Sequence, residues 1–236
     1  MTVAAVVTAA GYGTRLGSPH PKALVAVAGE PLVVHAVRRT ARVASRIVVT
    51  APPTHLAEFE AALAGLDGGL GPDLVVVPGA PTRQGSVAAG VAALACAPAD
   101  IVLVHDAARA FQPPETMRLA AAAVEAGADG AVPVVPVVDT LVAAPGPDGS
   151  LGDPVDRARF RSVQTPQAFR AAVLEDAHAR GGEDATDDAT LARNLGYRIV
   201  ATDGHEWGVK ITHAGDLALA EHIAAASAAA LAKEPA

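Results

Sequence analysis

The chain has few of the residues that build disulfide-rich, zinc-binding or nucleic-acid-binding proteins. Its single cysteine, Cys96, excludes an internal disulfide and any cysteine-based zinc site. The net charge of −7 argues against nucleic acid as the main partner, because binding to a phosphate backbone needs a basic face. No apolar run approaches the roughly 20 residues that cross a membrane. Aromatic residues make up only 3% of the chain, so a core has to be built from valine, alanine and leucine.

What is present is enough for a folded protein. Apolar residues make up 51% of the 236 residues, which favours a single α/β domain over residues 1–236. Met1 is followed directly by the first predicted strand, so we expect no signal or transit peptide and a cytoplasmic protein. Lysine is scarce, since Lys22, Lys210 and Lys233 stand against fifteen arginines. We expect a specific use for the lysines that such a chain keeps.

Apolar β-type runs alternate with helical patterns along most of the chain. This alternation predicts an α/β, Rossmann-like fold in which helices flank a mostly parallel sheet. The strands are near-continuous apolar runs, as expected for strands buried on both faces. Strands are predicted at residues 3–8, 46–50, 74–78, 101–105, 130–135, 198–202 and 208–211. Helices are predicted at residues 32–43, 54–65, 84–95, 114–126, 168–178, 187–194 and 214–231.

Residues 137–161 interrupt this alternation. The segment PGPDGS at residues 145–150 is typical of a turn, and short β-type stretches near Thr140 and Val155 flank it. We therefore predict a projecting β-arm over residues 137–161, which acts either as a lid or as a dimerisation element.

The first predicted strand leads into a glycine-rich loop that also carries Arg15 and Lys22. A buried strand feeding such a turn is where many α/β proteins bind phosphates. The combination predicts a nucleotide triphosphate site, with a purely structural turn as the alternative. Four residues have so little side chain that their backbone N–H groups can approach an anion closely: Ala9, Ala10, Gly11 and Gly13.

Two better-known phosphate motifs do not match this loop. Gly11 and Gly13 resemble the start of the dinucleotide fingerprint GxGxxG, but Leu16 stands at the third glycine position. No acid ends the following strand where a ribose partner belongs, and the chain has no GxxxxGK[ST] motif. The pattern therefore disfavours an NAD-dependent dehydrogenase and a P-loop NTPase.

Asp106 follows a second apolar strand in the motif VLVHDAAR. Residues just past the carboxyl ends of parallel strands line the ligand crevice, so we expect Asp106 near the glycine loop. There it could meet a ribose hydroxyl or Mg²⁺, and a helix-capping or turn role is the alternative. His105 is interpreted as a structural residue of the strand end.

A third loop, PGAPTRQGS at residues 78–86, again joins a strand to a helix. Ser86 could reach a base or a sugar, although helix capping alone explains a Ser or Thr there. Asp187 and Asp188 resemble a metal pair, but acids are favoured at helix starts, which is the interpretation we adopt. Further polar residues at strand ends or in the arm are individually weak signals: Asp139, Thr140, Asp156, Arg157, Thr165 and Lys210.

In order and spacing, these motifs resemble one family. AAGYGTR followed by PK, VLVHDAAR, VDTL, VDR, QTPQ, TDDA and VKIT closely resemble 2-C-methyl-D-erythritol 4-phosphate cytidylyltransferases, from Val3 to about Glu221. AAGxGxR alone marks only the broader sugar-nucleotidyltransferase group, whereas HDAAR with VDR and TPQ narrows the resemblance to this family. A ribitol-5-phosphate cytidylyltransferase is the alternative within the class, and a module that binds CTP without turnover is the alternative outside it.

The resemblance implies a reaction in which the acceptor's phosphate oxygen attacks the α-phosphorus of CTP in line and pyrophosphate leaves. Mg²⁺ or another divalent cation is implied as the cofactor, held by the CTP phosphates with Asp106 as a candidate ligand. Little covalent chemistry is left to the protein, so positioning and charge stabilisation carry catalysis. The family also implies a homodimer in which the arm reaches the neighbouring subunit's site. The net charge and the lack of a long apolar run predict no nucleic-acid or membrane partner.

The resemblance assigns roles residue by residue, and Asp106 falls into two groups because its role stays open between ribose, metal and acceptor. The catalytic cations would be Arg15, Lys22, Arg157 and Lys210. The CTP-binding residues would be Ala9, Ala10, Gly11, Gly13, Gly79, Ala80, Arg83, Ser86, Asp106 and Ala107. The acceptor-binding residues would be Asp106, Arg109, Thr140, Arg157, Thr165 and Lys210.

Two places depart from the family pattern. Ala80 replaces the second glycine of a Gly-Gly pair in the loop that meets cytosine in the family, and Pro81 stands where an acid often follows. Leu141 and Val142 stand where a lysine often follows the Asp-Thr pair of the arm. Neither departure removes an implied catalytic cation.

Overall fold

The computed structural model describes residues 1–17, 20–66, 73–182 and 185–231. Within these ranges the strands are β1 (Val3–Thr8), β2 (Ala26–Val27), β3 (Glu30–Pro31), β4 (Arg46–Ala51), β5 (Asp73–Pro78), β6 (Ile101–Asp106), β7 (Gly130–Pro136), β8 (Leu141–Val142), β9 (Pro154–Val155), β10 (Arg161–Val163), β11 (Gln167–Arg170) and β12 (Ile199–Asp203). The helices are α1 (Leu32–Thr40), α2 (Leu56–Leu63), α3 (Arg83–Leu94), α4 (Pro114–Glu125), α5 (Ala171–Arg180), α6 (Asp188–Asn194) and α7 (Gly215–Leu231).

A mostly parallel sheet forms the centre of the fold, as predicted. Its strand order is β10-β7-β11-β6-β1-β4-β5, and β12 also pairs with β7. The pairs of β1 with β4 and β6, of β4 with β5, and of β7 with β12 are parallel. Strand β11 is antiparallel to both β6 and β7, and β10 is antiparallel to β7. The carboxyl ends of β1 and β6 therefore lie side by side, with Thr8 opposite Asp106.

Helices cover both faces of this sheet, which is why its strands read as continuous apolar runs. On one face, Ala5 and Val7 of β1 belong to a buried cluster with residues of α1, α2 and α4. On the other face, Ala4 and Val6 belong to a cluster with residues of α3, α5 and α6. Successive strand residues thus serve opposite cores, as the two-residue period of a strand requires.

A third, smaller cluster packs beneath α7. It brings Leu16, just after the glycine loop, together with Phe111 and Ile211. Ile211 follows Lys210 directly, so this cluster holds the segment that carries Lys210 against the segment that carries the first loop. No helix in the described part of the chain is both long and apolar enough to cross a membrane.

Most predicted elements agree with the structure to within three residues. The strand prediction for residues 208–211 is wrong: residues 206–208 form a short 3-10 helix, and the following residues are irregular. Ile211 donates its N–H to the carbonyl of Ala108 at 2.9 Å, and this single bond does not make a ladder. The apolar residues there are buried by the third cluster rather than by strand pairing.

The helix prediction for residues 168–178 is also wrong at its start, because residues 167–170 form β11 and the helix begins at Ala171. Strand β10 was not predicted. Both strands are short, and β10 is exposed over its whole length, so neither shows a long apolar run. The peptide bond between Thr165 and Pro166, just before β11, is cis.

The predicted arm contains a two-stranded hairpin. Strands β8 and β9 pair with each other in an antiparallel arrangement, with Leu141 opposite Val155. They form a two-stranded sheet separate from the main sheet. In the turn between them Asp148 accepts hydrogen bonds from the N–H and hydroxyl of Ser150. A hairpin with strands Leu141–Val142 and Pro154–Val155 therefore lies within residues 137–161, and the projecting arm over that whole range stays a prediction.

Candidate active site

A cavity of about 220 Å³ opens where β1 and β6 end and α3 begins. It is lined by the glycine loop after β1, by the loop before α3 and by the end of β6. The two lysines singled out by their rarity, Lys22 and Lys210, both line it. The predicted site residues that line the cavity are Ala9, Ala10, Gly11, Lys22, Ala80, Arg83, Ser86, Asp106, Ala107 and Lys210.

Asp106 is the charged centre of this cavity. Its Oδ2 lies 2.7 Å from Lys210 Nζ, and its Oδ1 lies 3.3 Å from Arg83 Nε. Burial by itself raises the pKa of Asp106, but the positive charges of Arg83 and Lys210 outweigh burial and hold the pKa below its usual range. The residue is therefore a carboxylate that joins two cations from distant parts of the chain.

The strand end holds Asp106 in place through its neighbours. The backbone N–H of Asp106 donates to Thr165 Oγ1 at 3.0 Å, and Thr8 Oγ1 lies 3.2 Å from Asp106 Oδ1. Thr165 Oγ1 also lies 3.0 Å from His105 Nδ1. Burial lowers the pKa of His105 to about 4, so the ring is neutral at physiological pH and is a structural residue, as expected. Thr165 is buried and positions Asp106 rather than facing the cavity.

Lys22 is held in the cavity wall by the segment that carries Lys210. Its Nζ donates to the carbonyl of Ile211 at 2.9 Å, next to Lys210. Burial, followed by repulsion from Lys210, lowers the pKa of Lys22 from its usual value. The loop is shaped for this side chain: Gly13 has φ +63°, and a Cβ there would lie 2.5 Å from Lys22 Cβ. Gly13 therefore makes room for Lys22 and does not line the cavity itself.

The loop before α3 is built around Ser86. The Ser86 hydroxyl accepts from the Ala80 N–H at 3.0 Å and lies 2.9 Å from the Thr82 carbonyl. Thr82 is the helix cap, since its hydroxyl accepts the Gly85 N–H at 3.0 Å. Gly79 passes so close to the first loop that a Cβ there would lie 2.6 Å from Ala10 Cβ. In this structure Ser86 holds the loop, and its predicted contact with a base or sugar stays a prediction.

Two predicted site residues lie beside the cavity rather than in its wall. Arg15 is exposed and makes no hydrogen bond or ion pair with any residue in the described ranges, although its charge contributes to lowering the pKa of Lys22. Arg109 donates to the carbonyl of Gly208 at 2.7 Å and to the carbonyl of Val163 at 2.9 Å. Arg109 therefore ties the segment before Lys210 to strand β10.

The structure does not bring the arm residues to the cavity of the same chain. Thr140 is exposed, and Arg157 is an exposed residue whose guanidinium donates to the carbonyl of Val138. Arg157 lines a separate groove with Val138 and Arg161. Their expected contact with an acceptor phosphate stays a prediction that needs a second copy of the chain.

The contact between Asp188 and Arg83 was not predicted from the sequence. Asp187 opens α6 as expected, accepting the Thr190 N–H at 2.9 Å. Asp188, however, is a buried ion-pair partner of Arg83, with Oδ2 lying 2.8 Å from Arg83 Nη1. The available signal was the second acid of the pair, because one acid is enough to cap a helix.

Comparisons with known proteins agree with the motifs. A profile of the IspD family, 2-C-methyl-D-erythritol 4-phosphate cytidylyltransferase, matches residues 3–226. The 2-C-methyl-D-erythritol 4-phosphate cytidylyltransferase of Streptomyces coelicolor is 46% identical over 232 residues, covering 94% of this chain and 84% of that protein. The protein of the same name from Saccharopolyspora erythraea is 46% identical over 230 residues, covering 95% of this chain and 100% of that protein.

A solved structure agrees as well. The crystal structure of 2-C-methyl-D-erythritol 4-phosphate cytidylyltransferase from Thermus thermophilus is 38% identical, with a TM-score of 0.75, and the match covers 95% of this chain and all of that one. These names favour methylerythritol phosphate over the ribitol phosphate alternative. The chain therefore belongs to the 2-C-methyl-D-erythritol 4-phosphate cytidylyltransferase family.

Proposed function

We propose that this chain transfers CMP from CTP to 2-C-methyl-D-erythritol 4-phosphate, giving 4-diphosphocytidyl-2-C-methyl-D-erythritol and pyrophosphate. The observation that carries the proposal is the convergence of Lys22, Lys210 and Arg83 on one cavity whose charged centre is Asp106. Transfer of a phosphoryl-type group needs little covalent help from a protein, so well-placed cations supply much of the catalysis. Both substrates are phosphates, which cross membranes poorly, and we expect the reaction in the cytoplasm.

The triphosphate of CTP would lie along the loop after β1. Ala9, Ala10 and Gly11 line the cavity there and put no long side chain between the backbone and an anion. Lys22 would stabilise the charge that develops as pyrophosphate leaves. Arg15 would add a second positive charge from the exposed side of the loop once a triphosphate is bound. The cytidine would face the loop before α3, where Ala80 and Arg83 line the cavity.

The phosphate of the acceptor would bind at Lys210. One N–H of its ammonium group is used by Asp106, which leaves two for an incoming phosphate oxygen. Lys22 donates a hydrogen bond to the carbonyl of the residue next to Lys210. The lysine proposed for CTP and the lysine proposed for the acceptor phosphate are therefore connected through this bond. This linkage favours an arrangement in which the attacking oxygen and the α-phosphorus are brought into line.

The arm of a second copy would complete the acceptor site. Thr140 and Arg157 lie away from the cavity of their own chain, and the arm carries strongly exposed apolar side chains such as Val138 at 79% and Leu151 at 78%. Such side chains would be covered if a partner packed against the arm. A symmetric dimer in which each arm reaches the other subunit would use both features at once.

A divalent cation fits this site as part of a CTP complex. No group of three potential metal ligands among His, Cys, Asp and Glu occurs in the described ranges. Mg²⁺ characteristically binds through one or two carboxylates together with substrate phosphates, and Asp106 supplies one carboxylate at the cavity. With CTP bound, Mg²⁺ would neutralise charge on the triphosphate. Asp106 is the candidate protein ligand, and its two bonds to Arg83 and Lys210 would have to be shared with the metal.

The decisive test is pyrophosphate release with CTP and Mg²⁺ in the presence of each candidate acceptor. We expect release with 2-C-methyl-D-erythritol 4-phosphate and far less with ribitol 5-phosphate at equal concentration. A preference for ribitol 5-phosphate would overturn the proposed acceptor. Binding of CTP in calorimetry without pyrophosphate from either acceptor would indicate a binding module instead.

A further inference from the structure

Arg83, in the wall of the cavity, is held between two carboxylates. Its Nε lies 3.3 Å from Asp106 Oδ1, at the cavity, and its Nη1 lies 2.8 Å from Asp188 Oδ2, beneath the cavity. Neither bond uses Nη2. The guanidinium group is planar and rigid, so two bonds to fixed partners set its orientation.

Asp188 is buried, with a side chain that is 1% exposed. A buried carboxylate is costly unless both of its oxygens are satisfied. Here Oδ2 accepts from Arg83, and Oδ1 lies 3.0 Å from His178 Nε2 of helix α5. Asp188 is the first residue of α6, so the ion pair fixes Arg83 of the cavity wall to this helix.

The pairing also affects Asp106. Arg83 and Lys210 share this carboxylate, one on each oxygen. An arginine with only one carboxylate partner prefers the two-bond arrangement with it. Without the charge of Asp188, Arg83 would turn toward Asp106 and compete with Lys210 for it, leaving the wall of the nucleotide site.

We propose that Asp188 is a positioning residue for the nucleotide site. It holds Arg83 in the cavity wall, so that one carboxylate oxygen of Asp106 bonds to Arg83 and the other bonds to Lys210. The inference rests on the proposed function only in naming CTP as the nucleotide. Asp188 acts through Arg83 and does not itself line the cavity.

The test compares Asp188→Asn with Asp187→Asn. Both changes are isosteric and remove one charge from neighbouring positions at the start of α6, but Asp187 bonds to Thr190 and Gln167 rather than to Arg83. We expect Asp188→Asn to weaken CTP binding about 10-fold in calorimetry, as the loss of a charged hydrogen bond would. For Asp188→Asn, the KM for CTP should rise by a similar factor, while the KM for the acceptor stays near that of the wild type. The control Asp187→Asn should keep a thermal midpoint near that of the wild type.

A double substitution separates positioning from a general disturbance. In an Arg83→Gln background, Asp188→Asn should cause little further loss of CTP affinity, because the residue through which Asp188 acts is gone. Equal CTP affinity for Asp188→Asn and wild type would overturn the inference, as would equal losses in the two backgrounds or an equal loss in Asp187→Asn.

Two further measurements keep the result interpretable. If Asp188→Asn does not fold, Asp188→Ser, which has a small hydroxyl in place of the charged carboxylate, is measured in the same assays with the same expected and contradicting outcomes. Wild-type turnover of CTP with 2-C-methyl-D-erythritol 4-phosphate is measured alongside. If wild type releases no pyrophosphate, the proposed function fails, whereas wild-type activity with unchanged CTP affinity in the variant means that the positioning role fails.

Discussion

The cavity and the arm hold their charged residues in opposite ways. In the cavity, Asp106 is bonded to Lys210 and Arg83, and Lys22 is bonded to the carbonyl of Ile211. In the arm, Arg157 is exposed, with a backbone carbonyl of the arm itself as its partner. Large apolar side chains are buried beneath the cavity, but in the arm Val138 and Leu151 are exposed to solvent.

This difference separates a region whose charged groups are paired within the chain from a region with exposed apolar side chains. The cavity is organised within one chain, so its cations are in place before a substrate arrives and lose little freedom on binding. Within the described residues the arm has exposed apolar side chains, and its Arg157 bonds to a backbone carbonyl of the arm, so we expect this surface to meet a partner. We therefore expect substitutions in the cavity to affect chemistry directly and substitutions in the arm to act across subunits.

The largest effect is expected for Lys22→Ala. Losing one charge contact made in the transition state, about 3 kcal/mol, should lower kcat by about 100-fold or more. The affinity for CTP should fall less, because ground-state binding also uses the backbone of the loop. Steady-state kinetics and calorimetry measure the two quantities, with Arg118→Ala on the surface of α4 as the control. Near-wild-type turnover of Lys22→Ala would remove this residue from the mechanism.

Arg157→Ala tests the arm. We expect the KM for the acceptor to rise about 10-fold, as for the loss of a charged hydrogen bond, with kcat and the KM for CTP changed less. The sharper measurement mixes this variant with Lys22→Ala. If the arm completes the neighbour's site, one site of the mixed dimer contains both wild-type residues, and activity measured at an acceptor concentration below the wild-type KM rises above that of either parent. No gain on mixing would show that each chain uses its own arm.

Gly79→Ala should disturb the packing between the two loops of the cavity. The added Cβ would lie 2.6 Å from Ala10 Cβ and 3.0 Å from Ser86 Oγ, so the loops must separate. Overpacking of this kind costs about 1–3 kcal/mol, and both the unfolding midpoint and the CTP affinity should fall. Gly11→Ala is the matched control for stability, because nothing lies within 4 Å of its added Cβ. A midpoint for Gly79→Ala equal to that of Gly11→Ala would contradict the close approach.

The smallest expected effect is on stability in acid. The charges of Arg83 and Lys210 lower the pKa of Asp106 despite its burial, so the folded state favours the carboxylate. This stabilisation is fully present above the unfolded pKa of about 3.9 and is lost as the pH falls through the lower folded value. Asp106→Asn should therefore lose less free energy of unfolding below about pH 4 than wild type does. Denaturant titrations at a series of pH values check this, and parallel curves would contradict it.

Much of the fold could be predicted because its signals are local. The strands β1, β4 and β6 are uninterrupted apolar runs, and most helices carry recognisable starts and ends. Strands β10 and β11 were missed because each has four residues or fewer, and their pairing with β7 and β6 depends on residues far away in sequence. The false strand at residues 208–211 shows the same limit: its apolar residues are buried, but by α7 and not by a sheet.

The residues of the site could likewise be predicted where the signal is local, whereas their long-range contacts could not. The glycine loop, Lys22, Asp106 and Lys210 are identified from residue type and from their place after a strand or in a family motif. The partnership of Arg83 with Asp188 joins residues 105 positions apart, and the second acid at the start of α6 signals only that Asp188 needs a partner, not that the partner is Arg83. The ties of Thr165 to Asp106 and of Lys22 to Ile211 are equally non-local.

The sequence alone determined that the protein has a layered α/β fold, a glycine-rich loop of the type that binds phosphates and the motifs of one family. These properties depend on hydrophobic periodicity and on residue types at short spacing, which a single chain displays directly. Only the tertiary structure decided which charges meet in the cavity and that the arm residues lie apart from it. Ion pairs and their pKa shifts depend on distances between atoms, and burial and pairing set those distances only after the chain has folded.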